Sequence, residues 1–312
     1  MILALDTSCY MTSAALMAAD GRLLSDKRRL LNVPAGSTGL RQADALYQHF
    51  SALPELLAEL LLDVDVTAID AVAAATRPRS VEGSFMPVFE AAANYGKVLS
   101  LAWGKPLYAF SHQDGHLAAA LWSLNLNWSE PFLSVHLSGG TTELLLVQPR
   151  AAGFDVQIVG SSDLPAGQFV DRVGVALGLP FPAGPELEKL AAKAVNKDLR
   201  LKTAIKDTQI SFTGSESAAQ RLIKQGVDGA ELAHAVFANI GRSLAKAIQQ
   251  AAEQSGCKKV LLAGGVAANE QIKRQVSAEC RGLEVHFAPP AYTGDNAVGI
   301  AVLGVGKWHL GV

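Results

Sequence analysis

The order of elements in residues 132–160, FLSVHLSGGTTELLLVQPRAAGFDVQIVG, decides the fold. An apolar run, a turn of Ser, Gly and Thr, a second apolar run, a connection with Pro and Gly, and a third run predict three consecutive strands. The same order occurs in residues 2–30, ILALDTSCYMTSAALMAADGRLLSDKRRL, although the two stretches share a plan and not residues. The chain is therefore predicted to contain two three-stranded meanders.

Helical and strand patterns follow each meander. After the first one, residues 39–61 and 84–104 predict helices, and residues 68–76 and 106–111 predict strands. Further helices follow the second meander, and residues 258–278 then predict a strand, a Gly-Gly turn and a helix. Two meanders with crossover helices indicate an α/β fold with mixed sheets.

The composition indicates a globular protein. The chain has 312 residues, of which 49% are hydrophobic and 18% charged, and its formal net charge is −2. A chain of this length can bury a large core, as two lobes or as one domain. The charge balance lacks both the excess charge of a disordered chain and the basic surplus of a protein that binds nucleic acid unaided.

The cysteines and the apolar runs indicate a cellular compartment. Cys9, Cys257 and Cys280 are widely spaced, form no CxxC pair and are odd in number, which argues against a disulfide framework. The N-terminal residues carry no basic leader, and no apolar run reaches about 18 residues. These patterns predict a soluble, unexported, cytoplasmic protein. Cys9 is predicted to be a small packed residue and not a nucleophile.

Two polar turns are candidates for phosphate binding. In residues 138–142, SGGTT, the glycines can expose backbone amides and the Ser and Thr residues supply hydroxyls. Residues 264–269, GGVAAN, follow a strand and begin a helix, which lets amides approach a nucleotide closely. Taken singly, the first pattern is more typical of an ordinary hairpin and the second is slightly more typical of a tight strand-to-helix turn than of a binding site.

The joint layout resembles the actin-like ATPase and sugar-kinase superfamily. This resemblance implies a duplicated ribonuclease H-like α/β fold with mixed sheets, two lobes and an interlobe cleft, and it favours a nucleotide-shaped ligand. We expect one lobe to comprise residues 1–108 plus 296–312, and the other residues 109–295.

A histidine pair lies in residues 111–124, SHQDGHLAAALWSL, where a polar turn becomes an apolar, helix-forming run. If a helix begins near Asp114, His112 and His116 are close enough to converge on one ion as neutral imidazoles. Alternatively, this is an ordinary helix start with Asp114 as its N-cap. A metal site requires a third ligand, and the strongest candidate is Asp295, which could instead cap the last helix.

Several stretches resemble one family, the universal tRNA threonylcarbamoyladenosine transferases, which are called TsaD in bacteria and were formerly described as O-sialoglycoprotein endopeptidases. The resemblance covers nearly the whole chain. The matching stretches are ILALDTSC, AWGKPLYAFSHQDGH against the family's HxEGH, LSGGTTEL against SGG(H/N)T, GQFVDRVGVALGLPFPAGP against GEAFDKxAxxLGLxYPGGP, SFTGSES against SFSGLK, LAGGVAAN, and YTGDNAVGIA against CTDNxAMIA. Ordered matches of this number are highly specific for the fold.

The resemblance implies a metal site and a nucleotide site. His112, His116 and Asp295 match the family's metal triad, which holds one divalent ion, usually iron or zinc. An adenine nucleotide or adenylate is the other implied ligand. The positions implied to bind it are Leu137, Ser138, Gly139, Gly140 and Thr141 beside the phosphate, Asp171 and Gly184 beside the ribose, Glu188 at a further polar contact, and Asn269 on the nucleotide side.

The implied reaction transfers a threonylcarbamoyl group from threonylcarbamoyl-adenylate to the exocyclic amine of the adenine 3′ to a tRNA anticodon. The ion would polarise the donor carbonyl as a Lewis acid and stabilise the oxyanion as AMP leaves. Loop amides would hold the phosphate, and Asp171 would accept ribose hydroxyls. The proton of the amine would go to Asp114, to water or to the leaving phosphate.

Several acidic positions of the family are replaced. The departures are Tyr10 and Met11 for an acidic pair, Arg77 and Arg79 in TRPRS where TxGPG is usual, Asp114 for Glu, Thr141 for His or Asn, and Gln168 for Glu. An active or altered acyltransferase is the favoured interpretation, and a paralogue that binds metal and nucleotide in a regulatory or assembly role is the alternative. A small-molecule kinase would fit the phosphate turns but does not need the histidines.

The resemblance also implies partners, namely threonylcarbamoyl-AMP, tRNA and partner proteins, with no membrane. A nearly neutral protein makes few RNA phosphate contacts by itself. The basic stretches 26–30 and 196–206 are most typical of solvated faces. The predicted helix over residues 42–61 is the best candidate for an apolar docking surface, although its apolar stripe is also typical of core.

Overall fold

The computed structural model describes residues 1–8, 10–33 and 40–311. The strands are β1 Ile2–Asp6, β2 Met11–Met17, β3 Leu23–Leu30, β4 Ala71–Arg77, β5 Leu107–Ser111, β6 Phe132–Leu137, β7 Thr142–Arg150, β8 Gly153–Ser161, β9 Ala204–Lys206, β10 Gln209–Ser211, β11 Lys259–Ala263 and β12 Glu284–Phe287. The helices are α1 Gln42–Leu61, α2 Phe89–Trp103, α3 His112–Ser123, α4 Ala166–Ala176, α5 Gly184–Ala191, α6 Thr213–Lys224, α7 Gly229–Ser255, α8 Glu270–Glu279 and α9 Val298–His309. Cys9 and residues 34–39 lie outside the described residues.

The chain forms two compact units. Unit 1 comprises Met1–Ser129, Pro149–Asp155 and the described residues from Ala291 onward, and unit 2 comprises Glu130–Gln148 and Val156–Pro290. The first boundary between the units falls at Ser129–Glu130, about twenty residues after the boundary predicted between residues 108 and 109, and β5 runs directly into α3, which packs on α9. The short segment that precedes α9 also belongs to unit 1, because it leads directly into that helix.

Unit 1 contains a five-stranded mixed sheet in the order β3-β2-β1-β4-β5. The first three strands pair antiparallel, as the meander predicted, and β4 and β5 then add in parallel. The strand β1 lies at the centre of the sheet and is fully buried, which explains its apolar sequence ILAL. The carboxyl ends of β1, β4 and β5 lie at the same edge of the sheet because these strands are parallel.

Helix α1 packs its apolar stripe against this sheet. Its buried residues include Leu53, Leu56 and Leu60, so the stripe proposed for docking is core. The opposite face still exposes Tyr47 and Phe50. Among the described helices, none is long and apolar enough to cross a membrane.

Unit 2 repeats the plan of unit 1 with the order β8-β7-β6-β11-β12. Strands β6 and β7 pair antiparallel, while β11 pairs in parallel with both β6 and β12. The long helix α7 lies at the centre of the core, with Leu232, Val236 and Ile240 fully buried. The identical strand order confirms the predicted duplicated α/β fold with mixed sheets.

The turn after β11 depends on glycine. Gly264 has a φ of +108°, and a Cβ at this position would lie 2.0 Å from the carbonyl oxygen of Leu137. Only glycine lets the backbone pass this close to the end of β6. The turn of residues 264–269 therefore lies directly beside the start of the SGGTT turn.

Candidate metal centre and nucleotide-binding positions

The histidine pair lies in the first two turns of α3. The helix begins at His112, and the hydroxyl of Ser111 is its N-cap, accepting a hydrogen bond of 3.1 Å from the backbone N–H of Asp114. The alternative in which Asp114 caps the helix is therefore wrong. Residues four apart share a helix face, and the rings of His112 and His116 lie 4.3 Å apart between centroids.

Asp295 comes from the turn before α9. The first helical turn there is held by Asn296, whose Oδ1 accepts a hydrogen bond of 3.0 Å from the N–H of Val298. The alternative role of Asp295 as the helix cap is therefore wrong. Its Oδ1 instead lies 3.3 Å from Nε2 of His112 and 3.3 Å from Nε2 of His116.

Two glycines allow α3 and α9 to approach closely enough for this meeting. A Cβ on Gly299 would lie 1.8 Å from the carbonyl oxygen of Gly115, and a Cβ on Gly115 would lie 2.9 Å from a side-chain atom of Ile300. Larger residues would separate the two helices. The small residues between the helices thus place the carboxylate next to the imidazoles.

The three side chains fit a divalent metal ion. One donor atom from each lies within 4.8 Å of the others, and the two measured nitrogen-to-oxygen separations are 3.3 Å. A tetrahedral ion with bonds of about 2.0–2.1 Å holds its ligand atoms about 3.3 Å apart. Two imidazoles and one carboxylate suit zinc or iron, and three protein ligands leave a position for substrate.

Asp6 is a residue of this site that the sequence reasoning missed. It ends β1 with a fully buried side chain, and its Oδ2 lies 2.7 Å from Nδ1 of His112. Its Oδ1 accepts a hydrogen bond of 2.9 Å from the N–H of Ser8. A carboxylate can only accept, so Nδ1 of His112 carries a proton that it donates to Asp6, and Nε2 is the ring nitrogen that faces Asp295.

The electrostatics of the three groups are strongly coupled. Burial lowers the pKa of His112, but the charges of Asp6 and Asp295 and their hydrogen bonds outweigh burial and raise this pKa to about 10. Burial raises the pKa of Asp295, but hydrogen bonds from His112 and His116 hold it well below its usual range. A bound cation would replace the proton shared among these groups, because metal ligands must be deprotonated.

Asp114, the predicted proton acceptor, lies apart from these donor atoms. It is two residues from each histidine on the helix, so it projects from another face. Its side chain is 4% exposed, and its Oδ2 accepts a hydrogen bond of 2.6 Å from the hydroxyl of Ser80. Burial raises the pKa of Asp114, opposed by hydrogen bonds from Ser80 and Ser111 and by the charge of Arg77.

The predicted phosphate turn in unit 2 is a tight hairpin between β6 and β7. The N–H of Ser138 donates to the carbonyl of Thr141 at 2.8 Å, and the N–H of Thr141 donates to the hydroxyl of Ser138 at 3.1 Å. Gly139 and Gly140 form the exposed tip of the hairpin, while Leu137 is buried. A Cβ on Gly167 would lie 2.6 Å from Cα of Gly139, so this turn rests on the first turn of α4.

The other predicted nucleotide positions join helices of unit 2. The N–H of Ala183 donates to Oδ1 of Asp171 at 2.7 Å, directly before Gly184 begins α5. The N–H of Glu270 donates to Oε1 of Glu188 at 2.9 Å.

Asn269 is the N-cap of α8. Its Oδ1 accepts from the N–H groups of Gln271 and Ile272, both at 3.0 Å. Its Nδ2 is buried and has no hydrogen-bond partner among the described residues. These positions lie together in unit 2, and their contact with a nucleotide stays a prediction.

The replaced family positions have varied surroundings. Tyr10 is 41% exposed, and Met11 begins β2 half-buried. Arg77 lies near enough to Asp114 for its charge to act on that carboxyl, whereas the N–H of Arg79 donates to the hydroxyl of Ser84 at 3.0 Å. The remaining two positions, Thr141 and Gln168, are half-buried.

The fold places the protein in the class of actin-like ATPase and sugar-kinase folds. The activator of 2-hydroxyisocaproyl-CoA dehydratase from Clostridium difficile aligns with a TM-score of 0.56 and 14% identity, covering 99% of this chain and 97% of that one. A ROK family glucokinase from Streptomyces griseus aligns with a TM-score of 0.54 and 13% identity, covering 97% and 98%. At these identities the likeness shows the fold alone.

The chain belongs to the TsaD family, the tRNA N6-adenosine threonylcarbamoyltransferases, which it matches over residues 37–302. The tRNA N6-adenosine threonylcarbamoyltransferase of Streptococcus suis is 33% identical over 326 residues, covering 99% of this chain and 93% of its relative. The family resemblance seen in the sequence is thereby confirmed.

Proposed function

We propose that this protein transfers a threonylcarbamoyl group from threonylcarbamoyl-AMP to N6 of the adenine 3′ to the anticodon in tRNA. One divalent ion, iron or zinc, would be held by His112, His116 and Asp295. The adenylate would be bound in unit 2 by the predicted nucleotide positions. Those positions are Leu137, Ser138, Gly139, Gly140, Thr141, Asp171, Gly184, Glu188 and Asn269.

One observation carries the proposal. In a chain that belongs to this family, Nε2 of His112 and Nε2 of His116 both lie 3.3 Å from Oδ1 of Asp295. The three residues are far apart in sequence or separated by a helical turn, and the fold brings their donor atoms to one point. A sugar kinase does not require such a cluster, so the cluster favours the acyl transfer.

The metal ligands belong to unit 1 and the predicted nucleotide-binding residues to unit 2, so each unit would supply a different part of the chemistry. The exposed amides of Gly139 and Gly140 and the hydroxyl of Ser138 are suited to bind phosphate oxygens, and the free oxygen of Asp171 can accept a ribose hydroxyl. Asp6 holds the His112 ring in the tautomer that presents Nε2. When bound, the metal would supply Lewis-acid polarisation of the donor carbonyl.

The transfer step balances without a covalent enzyme intermediate. The N6 amine attacks the carbamoyl carbon, the bond from that carbon to the phosphate oxygen breaks, and AMP leaves with the electron pair. The amine loses one proton to the leaving phosphate, to water or to Asp114. The burial of Asp114 and its hydrogen bond with Ser80 favour the first two acceptors.

We further propose that partner proteins assist the reaction and that it takes place in the cytoplasm. The chain has a net charge of −2, which gives little general attraction for tRNA. The side chains Tyr47 and Phe50 on the outer face of α1 are exposed and offer an apolar contact for a partner. Cys257 and Cys280 are free thiols, as is usual in a reducing compartment.

The test is a transfer assay with matched variants. Purified protein is analysed for bound metal, and then incubated with threonylcarbamoyl-AMP and unmodified tRNA, with and without the partner proteins of a relative. H116A and D295N should lose both the ion and the transfer, whereas H309A, at the far end of α9, should keep both. Metal and nucleotide binding without transfer under all conditions would support the regulatory paralogue, and phosphorylation of a small sugar or carboxylate would support the kinase.

A further inference from the structure

Unit 2 contains a basic pocket that no part of the proposed nucleotide site uses. It has a volume of about 400 Å³ and lies between α7, α8 and the segment after α5. Four cationic side chains line it, namely Lys197, Arg200, Arg242 and Arg274. We call this set the basic pocket.

The basic pocket brings together residues that are distant in sequence. Lys197 and Arg200 come from the stretch 196–206, which the sequence alone assigned to a solvated face, and Arg242 and Arg274 come from α7 and α8. The fold thus concentrates positive charge locally in a chain whose net charge is −2. Clustered like charges raise the local potential and attract anions.

No acidic side chain of the described residues forms a hydrogen bond or an ion pair with any of the four cations. The charges of Glu279 on Arg242 and of Glu270 on Arg274 offset part of the positive charge. Burial and the charge of Arg200 lower the pKa of Arg242, and only Glu279 acts in the opposite direction. His234, in the wall of the pocket, has its pKa lowered by burial and by all four cations, so their fields converge there.

The lining favours phosphate groups over bases. Lys197, Arg200 and Arg274 are exposed and can reach an extended polyanion, while Arg242 is half-buried at the base of the pocket. Among the described residues that line the pocket there is no Phe, Tyr or Trp, and His234 is the one aromatic ring, so the pocket offers little of the aromatic stacking that single-stranded bases use. Arg and Lys bind phosphate through charge-assisted hydrogen bonds.

We propose that the basic pocket binds backbone phosphates of the tRNA substrate. The assignment rests on the proposed function for the choice of tRNA. The contacts position the RNA and carry no sequence information. They give a nearly neutral protein a local site for a polyanion.

The test measures tRNA binding as a function of salt. Equilibrium binding of labelled unmodified tRNA is followed by fluorescence anisotropy between low and moderate KCl for wild type, R200Q/R274Q and R221Q/K224Q. The control pair removes the same two charges from exposed residues at the end of α6, outside the pocket. Circular dichroism establishes that each variant is folded.

The expected result is specific to the pocket. R200Q/R274Q should lower the slope of log K against log salt by about 2, one for each phosphate that is no longer bound, and weaken binding at least roughly tenfold at low salt. The control should retain the wild-type slope. Equal slopes for all three proteins, or no tRNA binding by wild type at low salt, would overturn the proposal.

A second arm separates RNA from small phosphate compounds. Binding of inorganic tripolyphosphate is measured by calorimetry on the same proteins. Loss of tripolyphosphate binding in R200Q/R274Q with unchanged tRNA binding would assign the pocket to a small anion and refute the RNA assignment. Both measurements give binding constants and do not depend on catalysis. A failure of threonylcarbamoyl transfer would therefore count against the proposed function, whereas the salt slope alone decides whether the basic pocket binds tRNA.

Discussion

Replacing Asp6 with Asn tests how the metal centre is organised. Asp6 accepts two hydrogen bonds, from Nδ1 of His112 at 2.7 Å and from the N–H of Ser8 at 2.9 Å. Asn has one accepting oxygen and one donating amide group. If its oxygen stays with Ser8, its NH₂ group faces His112 and selects the tautomer with the proton on Nε2. That tautomer cannot bind a metal through Nε2.

The expected magnitude follows from the role of the Asp6 carboxylate. Removing a partner that orients a ligating histidine costs about 10–100-fold in metal affinity, which corresponds to about 1.4–2.8 kcal/mol. We expect the upper part of this range because Asp6 is fully buried and water cannot replace it. D6N also removes a negative charge close to the cation.

The assay is a competitive titration of the metal-free protein with Zn²⁺ against a chromogenic chelator. D163N is the matched control, because Asp163 also accepts one hydrogen bond from a side chain, the Ser211 hydroxyl at 2.7 Å, and one from a backbone N–H, that of Phe212 at 2.8 Å, but in unit 2. D163N should keep wild-type affinity. Wild-type affinity in D6N, together with loss of binding in H112A, would refute the tautomer argument.

Three further predictions concern the same region. G299A should lower the melting temperature by about 3 °C or more, because its Cβ would lie 1.8 Å from the Gly115 carbonyl oxygen and helices α3 and α9 must separate. G306A on the same helix is the control, since its added Cβ meets nothing within 4 Å. Its melting temperature should match or exceed that of wild type. D114N should keep its metal and lose less than tenfold in transfer rate, since Asp114 is buried against Ser80, whereas a loss of about 10²–10⁴ in single-turnover assays would identify it as the general base. H116A should retain less than a tenth of the bound metal by elemental analysis while its unfolding stays cooperative, and full occupancy would contradict the triad.

The sheet and the triad could be predicted because their signals are local or carried by family motifs. Turns with Gly, Ser and Thr between apolar runs indicated both meanders, and the spacing of His112 and His116 placed their rings on one helix face. Asp295 was the strongest candidate for the third ligand, and its match to the family motif supported that choice. The 179 positions between His116 and Asp295 hide the contact from any local pattern.

The remaining features depend on tertiary contacts. Asp6 ends a buried strand, and an acidic residue at the end of an apolar run was the available signal, but its partner His112 is 106 positions away. Ser111 caps α3 in place of Asp114, because either residue could start the helix and the end of β5 decided which one does. No change of composition marks the boundary between the units. The basic stretch 196–206 could not reveal its pocket, since Arg242 and Arg274 belong to distant helices.

The central claim is that three side chains of unit 1 hold one metal ion. Anomalous diffraction from crystals of the protein grown with Zn²⁺ or Fe²⁺, recorded at the absorption edge of the metal, tests it most directly. The account predicts one strong peak at about 2.0–2.2 Å from Nε2 of His112, Nε2 of His116 and Oδ1 of Asp295. A fully occupied metal bound elsewhere, with these three side chains in contact only with one another, would contradict it.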